Sequence, residues 1–205
     1  MTKVVVYMSM SLDGFIAAED DGPGRGLGVG GDTLHAWLTA GNVNPGSLRP
    51  EGGVNADVFD EMMATGAVLT GRRTFEYAGE WGGDHHDGVP VFVLTHRPPG
   101  SATQGHVHYV TDLESAVKGA KDAAGGRDVM MHGASAVQAL LRAGLVDEFV
   151  IHLVPVLLGR GRRLFDDSPA GTIQLRLAQS REGEGVLHLR YRVEDSGGST
   201  ASAST

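Results

Sequence analysis

The chain has 205 residues, of which 41% are apolar, enough for one ordinary domain with a real core. A formal charge of −8 argues against a nucleic-acid partner, and the short cluster Arg160, Arg162 and Arg163 does not reverse that balance. With no cysteine, disulfides, thiolate metal sites and a cysteine nucleophile are excluded, and no stretch reaches the roughly 18 apolar residues of a membrane span.

Val4 to Met10 reads as a buried first strand with no cleavable signal pattern before it, so a cytoplasmic protein is expected. Asp20 to Asp32 is a long glycine-rich loop of the kind used as a functional lid or left disordered. Thr33 to Leu38 suggests a short helix with Trp37 on its apolar side, and Gly41 to Gly53 is turn chemistry. A helix from Asn55, as its N-cap, to Ala64 buries Val58, Phe59, Met62 and Met63.

Strand Ala67 to Thr70, a helix from Arg73 to Ala78, a loop through Gly88 and strand Val89 to Thr95 follow, the last stopped by Pro98-Pro99. Val107 to Val110 is a strand, Asp112 caps a helix to Ala124, Asp128 to Met131 is a strand, and Ala134 to Ala143 is a helix closed by Gly144. Phe149 to Val156 is a strand, and Ile173 to Ser180 with Val186 to Val193 reads as an antiparallel hairpin. Single buried strands alternating with helices mark an α/β fold with a mostly parallel sheet covered on both faces, a single domain over 1–195. The tail 196–205, all Gly, Ser, Thr and Ala, is expected to be flexible.

Two junctions carry chemistry. In each of Ala67-Val68-Leu69-Thr70-Gly71-Arg72-Arg73-Thr74 and Val129-Met130-Met131-His132-Gly133-Ala134-Ser135, a short apolar run meets a glycine that opens a helix. Such a junction leaves unpaired N–H groups and the positive end of a helix dipole, where a pyrophosphate can sit. The two arginines and the threonine of the first make a phosphorylated dinucleotide the first ligand to consider. Gly83-Asp84-His85-His86-Asp87-Gly88 reads as a solvated loop, not a metal site, because neighbouring side chains rarely converge on one ion. Trp81, in the glycine-rich loop, is a candidate substrate contact.

Taken together, Ser9-Met10-Ser11-Leu12-Asp13-Gly14-Phe15-Ile16-Ala17, Thr70-Gly71-Arg72-Arg73-Thr74-Phe75, His132-Gly133-Ala134 and Val154-Pro155-Val156-Leu157-Leu158-Gly159-Arg160-Gly161 resemble, in order and spacing, the dihydrofolate reductase superfamily. The set is most similar to the branch related to the reductase domain of bacterial riboflavin biosynthesis. That resemblance implies a dihydrofolate-reductase-like mixed sheet flanked by helices, ending in the antiparallel hairpin. It also implies NADPH as the hydride donor to a small heterocyclic or unsaturated substrate, without flavin or metal, and a homodimer.

By motif, the resemblance places Gly71, Arg72 and Thr74 along the cofactor, with Arg73 either sharing that role or simply solvated. Thr95, His96 and Arg97 fall where the family contacts the adenine ribose and its phosphate, or form a polar turn. Gly133, Ala134 and Ser135 approach the pyrophosphate. His132 stands where classical reductases have the first of two glycines joined by a cis bond, which puts that bond in doubt; it either touches cofactor or substrate or serves as a structural hydrogen-bonder. The reductases carry one carboxylate on the helix before the Gly-Arg-x-Thr junction, and Asp57 is the candidate there, with Asp13 the other acid and Ser11 a substrate contact. A riboflavin-pathway pyrimidinone and dihydrofolate are alternative substrates, and a non-catalytic nucleotide-binding dimeric scaffold is the alternative of another class.

Overall fold

In the computed structural model, the described residues are 1–39, 48–99, 103–165 and 172–194; the expected tail 196–205 and part of the 41–53 turn region lie outside them. Eleven strands are present among these residues: β1 Val4–Ser11, β2 Phe15–Ala17, β3 Ala67–Gly71, β4 Val91–Leu94, β5 Thr103–Gln104, β6 Val107–Val110, β7 Val129–His132, β8 Glu148–Val154, β9 Arg162–Arg163, β10 Leu175–Gly183 and β11 Val186–Val193. The helices are α1 Gly53–Met63, α2 Arg72–Tyr77, α3 Leu113–Ala123 and α4 Ala134–Arg142, with 3-10 turns at Gly31–Leu38 and Gly79–Gly83.

Nine strands form one sheet in the order β10-β11-β8-β1-β7-β3-β4-β6-β5. The interior pairs β8–β1, β1–β7, β7–β3, β3–β4 and β4–β6 are parallel, while the hairpin β10–β11 adds antiparallel to β8 and β5 adds antiparallel to β6. The expected mixed, mostly parallel sheet with a C-terminal hairpin is therefore the observed one.

Strand alternation divides the core. Val4 and Val6 join Leu69, Met131, Ala120, Val137 and Leu140 on the face covered by α3 and α4. Val5 and Tyr7 join Val68, Met130, Phe75 and Met62 on the face covered by α1 and α2. Side chains two apart share a face, so one apolar run serves both layers.

Local signals act as expected at two helix ends. Asp112 accepts a hydrogen bond from Ser115 N at 2.7 Å as the N-cap of α3, and Gly144 follows α4 at φ +67°. Asn55, expected as an N-cap, is not one: α1 starts at Gly53, with Gly52 as its cap and no side-chain cap bond, which puts Asn55 inside the first turn and buries it. No helix among the described residues is long and apolar enough to cross a membrane.

Candidate cofactor and substrate site

The parallel strands β3, β4 and β7 all end at one edge of the sheet, and a cleft of about 450 Å³ opens there. Open α/β sheets bind ligands at this edge, because the chain leaves each strand into a loop or helix start with free backbone donors. The cleft is lined by Gly71, Arg72, Arg73 and Thr74 from the β3–α2 junction, by Thr95, His96 and Arg97 after β4, and by Gly133, Ala134, Ser135 and Ala136 from the β7–α4 junction. Ten of the eleven residues expected to hold a cofactor thus lie on one cleft, brought together from three separate segments.

The two junctions are fitted to each other. Gly133 sits at φ +92°, ψ 127°, and a Cβ there would fall 2.5 Å from Thr74 Oγ1. Only glycine takes that backbone without strain, and only glycine leaves room for Thr74. At Gly71 an added Cβ would approach the Ala136 methyl at 3.2 Å. The nine-residue α4 begins at this point with no side-chain cap, so the amides of its first turn face the cleft without a side-chain partner. A pyrophosphate fits this donor set, with Thr74 adding a hydroxyl.

Cationic groups stand beyond the glycines. Arg72 donates from Nε to Glu76 Oε1 at 2.6 Å and from Nη1 to the Arg97 carbonyl at 2.9 Å, which fixes the guanidinium plane at the cleft wall. Arg73, exposed, makes no hydrogen bond or ion pair among the described residues, and it lines both this cleft and the cavity beside it.

That second cavity, of about 630 Å³, meets the first at Arg73, Thr74 and Arg162. Its walls combine Tyr7, Met8 and Ser9 of β1, Phe59, Met62 and Met63 of α1, Trp37, Trp81, and the histidines His35, His85, His132 and His152. The glycine-rich segment supplies Asp21, Gly26, Leu27 and Asp32 to the same wall. It is tied down by Arg162, whose guanidinium holds Asp21 at 2.6–2.9 Å, and by Ala18 N donating to Leu27 O at 2.8 Å. Aromatic and apolar side chains interleaved with polar groups suit a planar heterocycle that also carries hydrogen-bonding atoms.

The histidines in this wall are held neutral. Burial pushes His132 down to about 4 and His85 down to about 2, while burial beside His188 puts His152 well below the usual histidine range. Burial also raises Tyr7, the neighbouring Arg190 charge opposing it, so the phenol keeps its proton. Trp81 lies in the cavity wall, edge-on to Phe75 and His85 with ring centroids 5.6 and 4.6 Å away.

Several expected residues sit elsewhere. His132 lines the second cavity instead of the cleft; its Nδ1 faces the Tyr7 carbonyl at 3.0 Å, and its bond to Gly133 is trans, as are all peptide bonds among the described residues. Asp57 is exposed and lines neither cavity, because α1 turns it away from the sheet. Asp13 accepts from Ser11 Oγ at 2.6 Å, Gly159 N at 2.7 Å and Leu158 N at 3.2 Å, which pins the loop after β8 and holds its carboxyl below the usual range. Ser11 is fully buried in that turn, its Oγ accepting from Phe15 N at 2.9 Å, and is not in the cavity wall. Both are structural, their polar atoms spent on the turn.

Sequence reading missed Arg162, Tyr7 and His152 as residues lining the second cavity. Tyr7 and Ser9 had a signal, since alternate positions of a strand share a face; His152 reaches the cavity only through the sheet order, and Arg162 through the pairing of β9 with β2.

The RibD C-terminal domain family model matches residues 2–189, and the chain belongs to that family. It is 26% identical over 197 residues to YwjB of Bacillus subtilis (strain 168), covering 92% of this chain and 97% of that one. YyaP of the same organism is 25% identical over 203 residues, at 92% and 94% coverage. The fold is similar to a putative riboflavin biosynthesis protein from Shewanella sp. PV-4, with a TM-score of 0.70 at 23% identity, covering 94% of this chain and 99% of that one. It is similar also to dihydrofolate reductase from Enterococcus faecalis complexed with NADP(H), with a TM-score of 0.55 at 15% identity and coverage of 94% and 97%. RibD of Acinetobacter baumannii gives a TM-score of 0.55 at 19% identity, this chain spanning 58% of its length.

Proposed function

We propose that this member of the RibD C-terminal domain family is a cytoplasmic NADPH-dependent reductase that transfers a hydride directly to a small heterocyclic or unsaturated substrate. The observation that carries the reading is the meeting of two cavities at Arg73, Thr74 and Arg162, one lined by glycines, helix-start amides and arginines, the other by aromatic rings.

Gly71, Thr74 and the first amides of α4 hold the pyrophosphate, and Gly133 keeps the approach clear of a side chain. Arg72, set by Glu76 and the Arg97 carbonyl, faces the phosphate that separates NADPH from NADH. NADPH bound along the cleft supplies the hydride. Trp37, Trp81, Phe59 and Met62 hold the flat substrate beside it and keep water out. Hydride addition to a C=N or C=O group leaves charge on nitrogen or oxygen that a proton must meet; Tyr7 lines the cavity, but its hydroxyl is bonded to Arg190. Two copies pair through the outer strand β10, where Leu175 and Leu177 are exposed; light scattering then gives twice the chain mass.

The test is single-turnover mixing of enzyme and NADPH with a panel holding dihydrofolate, pyrimidinones and unsaturated carbonyl compounds. Saturable loss of NADPH absorbance with one member supports the reading. Tight NADPH binding with no oxidation across the panel favours the second reading, a non-catalytic nucleotide-binding protein. One observation supports that alternative: neither Asp57 nor Asp13 lines the substrate cavity.

A further inference from the structure

A chain of hydrogen bonds running from α1 to β8 fixes the tautomer of one ring at the wall of the second cavity. Asn55 gives its Nδ2 hydrogens to two main-chain carbonyls, Trp37 at 3.2 Å and Glu184 at 3.1 Å. The atom it turns to His188 Nε2, at 3.1 Å, is therefore its Oδ1, an acceptor, so His188 Nε2 carries the hydrogen. A neutral imidazole with hydrogen on Nε2 has its lone pair on Nδ1. His152 Nδ1 meets that lone pair at 2.8 Å and must donate to it.

The single hydrogen of a neutral His152 is then used, and its Nε2 is left as an acceptor. That atom is the one buried side-chain polar atom with no hydrogen-bond partner among the described residues. The ring is 2% exposed, borders the second cavity, and packs against Trp37 with centroids 4.6 Å apart. Trp37 is itself anchored by its Nε1 donating to Ser9 Oγ at 2.9 Å, and its indole lies edge-on to His188 at 5.0 Å, so neither imidazole is free to turn over. Burial holds His188 down to about 4 and His152 lower than its ordinary range, which keeps both rings neutral at pH 7. A buried acceptor left unpaired is costly, and a ligand that brings a donor removes the cost.

We propose that His152 is a specificity-determining residue whose Nε2 accepts a hydrogen bond from an N–H or O–H group of the substrate, so that the cavity favours heterocycles that carry a donor over those that do not. The proposal rests on reading the second cavity as the substrate site. His188 and Asn55 are positioning residues that set the ring of His152 by their own hydrogen bonds.

The test is the histidine side-chain 15N–1H spectrum of the full chain at pH 7, with NADP bound, titrated with 2,4-diaminopyrimidine and separately with unsubstituted pyrimidine, which has no donor. The expected free state has hydrogen on Nδ1 of His152 and on Nε2 of His188. Diaminopyrimidine moves the His152 Nε2 resonance upfield and pyrimidine does not. His152→Phe weakens diaminopyrimidine binding by about three- to tenfold, the range of one hydrogen bond, and leaves NADPH binding unchanged. Hydrogen on Nε2 of His152, an unmoved Nε2 resonance at high diaminopyrimidine, or equal losses for both heterocycles overturns the proposal. The tautomer spectrum needs no variant, so a His152→Phe chain that fails to fold leaves it decisive. Failure of NADPH to bind the native chain counts instead against the reductase reading.

Discussion

Gly133→Ala tests the junction on which the proposed cofactor site is built. At φ +92° and ψ 127° an alanine carries backbone strain of about 1–3 kcal/mol. Its methyl also falls 2.5 Å from Thr74 Oγ1 and 3.3 Å from Thr74 Cβ, an overlap that costs about another 1–3 kcal/mol in a packed site. The sum is a loss of about 2–6 kcal/mol, its lower half expected where movement of Thr74 relieves part of the overlap. Urea unfolding of the wild type, Gly133→Ala, Thr74→Ala and the double variant separates the two parts. Removing the Thr74 hydroxyl relieves the overlap and leaves the backbone strain, so the pair should couple by about 1–2 kcal/mol, with the double variant more stable than the summed singles. A loss below about 0.5 kcal/mol for Gly133→Ala, or strict additivity, would refute the argument that Gly133 keeps the approach of the two junctions open.

Arg72→Ala should weaken NADPH binding by about 1.5–3 kcal/mol with a smaller effect on NADH, since a charge-assisted contact to the extra phosphate is lost; equal losses in calorimetry would misplace the phosphate. Asp57→Asn should leave stability and turnover within about 0.5 kcal/mol of the wild type, because the carboxylate is exposed and lines neither cavity. Acid should destabilise the fold in two stages. His132 and His188 titrate near 4 when folded and near 6.5 when unfolded, so the unfolded chain binds more protons between these values and stability falls as pH drops from about 6.5 toward 4. Glu148 is disfavoured as an anion by burial, but hydrogen bonds from Lys3 at 2.7 Å and Arg190 at 2.8 Å prevail and lower it below its ordinary 4.5, so its contribution is present at neutral pH and disappears last. Urea midpoints recorded from pH 7 to pH 3 check this, and a midpoint flat between pH 6.5 and 5 contradicts the neutral histidines.

What was legible in the sequence was local. The buried run Val4 to Met10, the Asp112 cap, the Gly144 stop and the Gly71 and Gly133 junctions are each set by a few adjacent residues, and all appear in the fold. The acid candidates lie off the second cavity for equally local reasons. Asp57 is next to the buried Val58, but one residue on a helix is a rotation of about 100°, so a neighbour of an inward residue faces elsewhere. Ser11 donates to Asp13, and Asp13 also accepts from the loop after β8, a contact that only the folded chain brings about. Asn55 resembled a cap because it is an asparagine near a helix start; its partners, Glu184 and His188, are 129 and 133 residues away. His152 is one polar residue in an apolar run, and only the order β11-β8-β1 sets it beside His188 and Ser9. Likewise Arg162 reaches Asp21 across 141 residues and closes the glycine-rich segment against the site.

The central claim is that the cleft at the ends of β3, β4 and β7 binds a phosphorylated nicotinamide dinucleotide. Calorimetric titration of the full chain with NADPH, NADH, NADP and flavin mononucleotide tests it most directly. NADPH and NADP should bind at micromolar concentration or tighter, NADH more weakly, and the flavin not at all. Binding of the flavin alone, or of none of the four, would contradict it.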